Sequence, residues 1–208
     1  MKTILLAAVV SMALLAPTAS NAQFGSLINR GGEQANAPDA KAFVDSFVES
    51  YGHVLAAQVH FSEALGLKDQ VDALKAEQQA LGSGSIDTDR LKKVSEVSAN
   101  AQRAIDERQQ AQPAMDAQAK LAYGQGLGAL VKGLVTGRDV VSNASSVGSS
   151  LGSNPMALMG AGRTAVHVVK EAPGYLKNLQ TSAKLALEFG KNNGIEAPAN
   201  ATSLLGDL

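Results

Sequence analysis

Between Asp39 and Leu65, apolar side chains return every third or fourth residue: Phe43, Val44, Phe47, Val48, Tyr51, Val54, Leu55 and Leu65. That spacing lines one side of an α-helix, whereas a strand would need alternation of period two. A long helix with one apolar side must bury it against other elements. No other stretch offers convincing period-two alternation; Thr164 to Val169 comes nearest, and the apolar residues before it, Met156, Leu158 and Met159, fit a helix better. The chain is expected to be all-α, a helical bundle of about six or seven helices, arranged as one domain with a possible division into two lobes.

The remaining helices are read from the same pattern and from their punctuation. Val71, Leu74, Gln78 and Leu81 trace a second helix over about Asp69–Leu81, and Gly82-Ser83-Gly84-Ser85 reads as a turn. Asp87 or Thr88 caps a third helix whose narrow seam is Leu91, Val94, Val97, Ser98, Ala101 and Ile105. Pro113 breaks that pattern, and a further helix is expected from Pro113 to about Thr136. Asn154-Pro155 resembles a helix cap followed by proline at the first position, opening a helix to about Lys170. Pro173 is expected to open the last helix, with Tyr175, Leu176, Leu179, Leu185, Leu187 and Phe189 in the core and Lys191 and Gly194 at its end.

Gly124 to Gly162 holds nine glycines in 39 residues, mixed with Ala, Ser, Leu and Val. The pairs Gly124/Gly128, Gly133/Gly137 and Gly148/Gly152 are four apart, so on a helix each pair shares a face where two backbones can approach closely. Each glycine costs about 1 kcal/mol of helix stability relative to alanine, so packing must hold such helices. The amphipathic helices to about Ser98 and the small-residue helices after Gly124 are the two expected lobes.

At the other end of the chain, Lys2 precedes an apolar run from Ile4 to Ala16 interrupted only by Ser11. Pro17 follows, and Ser20-Asn21-Ala22 places small residues before Gln23. This is the order of a secretory signal, with cleavage expected after Ala22. The run has 13 residues, short of the roughly 20 needed to span a bilayer. The expected organisation is a signal peptide over 1–22, a flexible leader over 23–38, the helical domain over 39–194 and a loosely ordered tail over 195–208. Phe24, Leu27 and Ile28 give the leader its only apolar cluster. The expected location is the periplasm or the medium, with no stable membrane anchor after cleavage.

Composition narrows the chemistry. Without residues 1–22 the chain keeps 17 basic and 19 acidic residues, a net charge of −2, which supplies no electrostatic footprint for nucleic acid. Cysteine is absent, which rules out thiol catalysis and thiolate metal sites. No Gly-x-Ser-x-Gly elbow occurs, and the glycines at 124, 126 and 128 lack the preceding strand of a phosphate loop. No catalytic residue and no cofactor are predicted.

The metal candidates are Glu49, His53, His60 and Glu63, spaced 4, 7 and 3 residues apart on the first helix. At about 100° per residue they fall within roughly 80° of one another, opposite the aromatic face. His167 and Glu171 make a second four-apart pair. The plainer reading of the four is a solvated polar face, because the chain has no Glu-x-x-His, the spacing on which carboxylate-bridged bundles rely.

These readings lead to a non-enzymatic interaction module of the periplasm with an unknown protein partner. The alternative is a helical protein that binds a small apolar ligand or lipid in a cavity near Leu127, Leu130, Leu134, Met156 and Met159.

Overall fold

The structure, a computed structural model, describes residues 39–153, 158–199 and 201. The expected signal peptide, its cleavage site, the leader and the Asn154-Pro155 cap lie outside the described residues. Five helices are seen: α1 (Ala40–Ala64), α2 (Lys68–Gly82), α3 (Thr88–Gln110), α4 (Ala117–Ser153) and α5 (Ala161–Asn192). Among the described residues there is no strand, and Thr164 to Val169 is helical.

Local chemistry sets most of the ends. The Asp39 carboxylate accepts from the Lys41 N–H at 2.9 Å. Asp87, rather than Thr88, caps α3 by accepting from Arg90 N–H at 2.8 Å, and Asp116 does the same for α4 through Ala119 N–H. Two helices stop in the same way. At Gly66 (φ 74°) and Gly194 (φ 69°) the chain turns left-handed. Leu67 N–H then bonds Ser62 C=O, and Ile195 N–H bonds Gly190 C=O. This is the glycine-terminated end expected at Gly194.

Two sequence expectations fail. Residues 117–153 form one unbroken helix of 37 residues, with no stop near Thr136. Residues 161–192 form another of 32, with Pro173 inside it rather than at its start. These two fusions, not missing helices, account for five described helices where six or seven were expected.

Helix α1 is the hub. It packs on all four other helices, most extensively on α4. Its buried residues run from Phe43 to Ser62 and cover more than half its circumference. Close approaches give the direction of each neighbour. Gly126 on α4 faces Ala57 and Phe61, and Gly133 faces Ser50, His53 and Val54, so α4 runs antiparallel to α1. Gly137 meets Leu176 and Gly148 meets Val169, so α5 is antiparallel to α4 and parallel to α1. Gln58 pairs with Ser98, and Leu65 C=O accepts from Arg108, so α3 is also parallel to α1.

The apolar residues form two clusters. One joins Phe43, Phe47, Leu55, Leu74, Leu91, Val94, Val140, Val147 and Val168. The other joins Phe61, Ile105, Tyr123, Leu127, Leu134, Leu179 and Phe189. The expected division into an early and a late lobe is therefore not the observed one. Both clusters draw on α1, α3, α4 and α5, and they are stacked along the bundle. Ser50 stands near the joint, donating to Gly133 C=O at 2.9 Å and sharing a 2.8 Å hydrogen bond with Tyr175. The expected loose tail begins docked: Ile195 packs on the second cluster and Ala201 is buried.

Candidate functional site

The metal candidates are not brought to one point. Glu49, His53, His60 and Glu63 share the stripe of α1 that faces outward, and they resolve into two pairs. His53 Nε2 lies 3.9 Å from Glu49, and His60 Nδ1 lies 3.7 Å from Glu63. The seven-residue step from His53 to His60 amounts to two turns, about 10 Å along the axis, too far for shared ligation at bonds near 2 Å. Glu63 is engaged elsewhere, accepting from Lys75 on α2 at 2.8 Å. Among the described residues no three His, Asp or Glu side chains are grouped as a metal would require.

The expected apolar cavity is also absent from its expected place. Leu127, Leu130 and Leu134 are packed into the second cluster. Met159 is 70% exposed, and Met156 lies outside the described residues.

The open space is on the other side of α1. A cleft of about 750 Å³ separates α3 from α5 and is floored by Phe47, Tyr51, Val54 and Gln58 of α1. It exists because α3 and α5, both parallel to α1, rest on its shoulders and touch each other little. The volume falls within the usual range for a ligand site. A smaller hollow of about 140 Å³, bounded by Gln109, Gln112, Glu188 and Asn192, shares Asp106 and Leu185 with it and continues the same line.

The floor is aromatic and rigid. Tyr51 and Tyr175 stack at 4.6 Å, and Phe47 meets each of them edge-on at 5.1 Å. The Tyr175 hydroxyl is already used, paired with Ser50 at 2.8 Å, and Ser95 of α3 stands near the Tyr51 hydroxyl. Burial pushes both phenols above their ordinary range, opposed in part by Ser95 at Tyr51 and by Ser50 at Tyr175. Both stay neutral, so the floor offers carbon rather than charge.

One wall carries a chain of amides. Gln58 Nε2 donates to Ser98 C=O at 3.0 Å and to Gln102 Oε1 at 3.1 Å, and Ser98 Oγ donates back to Gln58 at 3.0 Å. Gln102 Nε2 donates onward to Asp106 at 2.8 Å. Desolvation raises the Asp106 carboxyl above the ordinary aspartate value, and the Gln102 bond pulls it back only in part. Across the gap, α5 lines the cleft with His167 and Glu171, the second pair singled out in the sequence, and with Asn178 and Ser182. Steps of 4, 7 and 4 place these four on one stripe of α5.

The sequence reading missed the α3 wall, Lys92, Glu96, Gln102, Arg103 and Asp106, because it resembles any solvated helix face. It also missed Glu77. That side chain is 7% exposed and is held between α2 and α3 by Arg90 and Lys93, where Gln78 had been assigned to the buried stripe. Comparison with protein-family models, curated proteins and solved structures finds no match to this chain. No described helix is long and apolar enough to cross a membrane.

Proposed function

We propose that this chain is an exported, non-enzymatic interaction module of the periplasm or the medium, and that the α3–α5 cleft is its binding surface. The cleft carries this reading. The bundle closes α1 against α2 and α4, yet leaves an aromatic floor open between two polar walls. The walls hold acids, bases and amides in mixture, which suits recognition by many hydrogen bonds. Export rests on the ordered signal at residues 1–22. The alternative, a small apolar ligand or lipid, keeps support from the volume of the same cleft and loses it at Leu127, Leu130 and Leu134, whose side chains are packed.

The test is native mass spectrometry of untagged protein isolated from the envelope fraction of its host. The expected species begins at Gln23 and carries a co-purifying protein. A retained N-terminal segment overturns export. A non-covalent mass of a few hundred daltons puts the ligand reading in front, and turnover of a substrate by the pure protein removes the non-enzymatic one.

A further inference from the structure

We infer that α2 is a strap that lifts from the bundle as a unit while the other four helices stay folded, and that its clasp is made of charge. None of the residues lining the α3–α5 cleft belongs to α2, so the movement is separate from whatever that cleft binds.

α2 is lightly seated. Of its 15 residues, Leu74, Glu77 and Leu81 are buried. The two leucines join the first core cluster with Leu55 and Val59 of α1 and Leu91 and Val94 of α3. The second cluster draws nothing from α2. The helices it chiefly packs on are α1 and α3, and these are tied to each other without it. Gln58 bonds Ser98 and Gln102, and Arg108 bonds Leu65 C=O. Taking α2 away leaves four helices, with one core complete and the other short of Val71, Leu74 and Leu81. A helix of this length is marginal alone in water, so α2 melts as it lifts. The left-handed Gly66 before it and the exposed residues 82–85 at its far end give the chain room to do so.

The seat is also imperfect. Among the described residues three buried side-chain atoms lack a hydrogen-bond partner in the protein: His60 Nδ1, Ser62 Oγ and Arg90 Nε. All three border α2. Arg90 reaches across to Glu77. His60 lies 3.7 Å from Glu63, the carboxylate that Lys75 of α2 holds. Round α1, Ser62 falls between Gln58, which bonds α3, and Glu63, which bonds α2. Each such atom costs stability while it is shut away from water, and lifting α2 relieves that cost. Charge opposes the lift. Among the described residues every side-chain tie from α2 to another helix carries an ion: Lys75 to Glu63 at 2.8 Å, and Glu77 to Arg90 and, at 3.4 Å, to Lys93. Glu77 is buried and depends on its cations. Lys75 and Lys93 are more than half exposed, so salt screens their share of the clasp. Raised ionic strength therefore favours the lifted state, in which the apolar side of α1 and α3 that Leu74 and Leu81 cover is open to water.

The lifted state is a minor population, about 0.1–10% of molecules, too small to shift circular dichroism, so hydrogen exchange is the readout. The purified protein is exchanged in urea below its unfolding transition and read peptide by peptide by mass spectrometry. Amides of residues 70–81 are expected to be about a hundredfold less protected than those of residues 126–137 on α4. Their urea slope should be less than about half as steep, because lifting α2 exposes little surface. Leu127→Ala, in the second cluster, weakens the closed and lifted states alike. It should speed exchange on α4 by about tenfold or more and leave α2 within about twofold of wild type. The slopes are read on wild type alone, so the test survives should that variant fold poorly. Raising sodium chloride from about 0.05 to about 0.5 M should speed exchange in α2 about threefold, and Lys75→Met with Lys93→Met should remove most of that response. Equal slopes in α2 and α4 would mean that α2 leaves only when the whole bundle unfolds, and would overturn the strap. So would a Leu127→Ala variant in which both helices exchange faster by the same factor. Exchange in α2 that ignores salt overturns the charged clasp.

Discussion

At the scale of single residues, two glycines two positions apart on α4 have opposite roles. A Cβ at Gly126 would lie 2.6 Å from two ring carbons of Phe61 and 3.1 Å from Ala57 C=O, whereas one at Gly128 would meet nothing within 4 Å. Gly126→Ala therefore forces the α1–α4 contact apart and is expected to destabilise by about 1–2 kcal/mol, after the gain in helix propensity is set against the overpacking. Gly128→Ala keeps that gain and is expected to stabilise by about 1 kcal/mol. Urea midpoints of the two variants, moving in opposite directions, check this; movement in the same direction would contradict it. The four-apart glycine rule found Gly133 and Gly137 but not Gly126, whose partners lie seven and eleven residues further on. Asp106 carries a prediction of its own. Its carboxyl is raised in the folded state, so the native protein holds the proton more tightly than the unfolded chain. Its charge then works against folding, and the effect grows as pH rises from the unfolded aspartate value, about 3.9, through the higher folded one. Asp106→Asn retains an acceptor for Gln102 and removes the charge. It is expected to raise the thermal midpoint at pH 7, and the difference from wild type should close below about pH 3.9. A constant difference across the range would show that the carboxyl is not raised.

At the scale of elements, α1 and α3 were legible because each shows a stripe of large apolar side chains at helical period and a carboxylate cap. The long helices were misread for a shared reason. Local rules put a stop where glycine accumulates and where proline falls, and those penalties are about 1 and 3 kcal/mol per site. Packing outweighs them: Gly133 and Gly137 let α4 lie against α1, and Thr164, Ala165, Val168 and Ala172 are buried just before Pro173. The core of α5 is accordingly built of alanines such as Ala183 and Ala186, while Leu185, expected inside, is 43% exposed. Glu77 replaced Gln78 in the buried stripe of α2 because Arg90 and Lys93 arrive from another helix, which no single-helix pattern reports. Pro173 offers a direct test. It is exposed, lacks an N–H for the carbonyl four residues back, and crowds it. Pro173→Ala is expected to raise stability by about 1–2 kcal/mol, less than the full propensity difference because alanine also frees the unfolded chain. Chemical denaturation measures it, and a loss of stability would mean that Pro173 itself is needed for the seat of Tyr175 two residues on.

For the whole molecule, the class of fold was readable and the site was not. The polar pair His167 and Glu171 was noticed, but the cleft they line is made by α3 and α5 crossing α1 without closing on each other, and nothing within either helix announces that gap. The metal stripe was misjudged for a related reason: four residues can agree in angle and still be spread over four turns of axis. The stacked cores have a further consequence. Melting one alone would cut α1, α4 and α5 near their middles, leaving stubs of about 12–18 residues, at or near the length where isolated helices are marginal. Tyr175 packs against both clusters and is tied to α1 through Ser50, so disorder on one side reaches the other. The two cores should unfold as one unit despite their separation. Leu127→Ala empties a site in one core and is expected to cost about 2–5 kcal/mol. Val147→Ala empties a smaller site in the other and should cost less. Each should shift a single urea transition with an unchanged slope, with far-ultraviolet circular dichroism for the helices and near-ultraviolet for the tyrosines giving coincident curves. A second step, or curves that separate in Leu127→Ala alone, would mean that the Ser50–Tyr175 joint is a boundary between two folding units rather than the bond that makes them one.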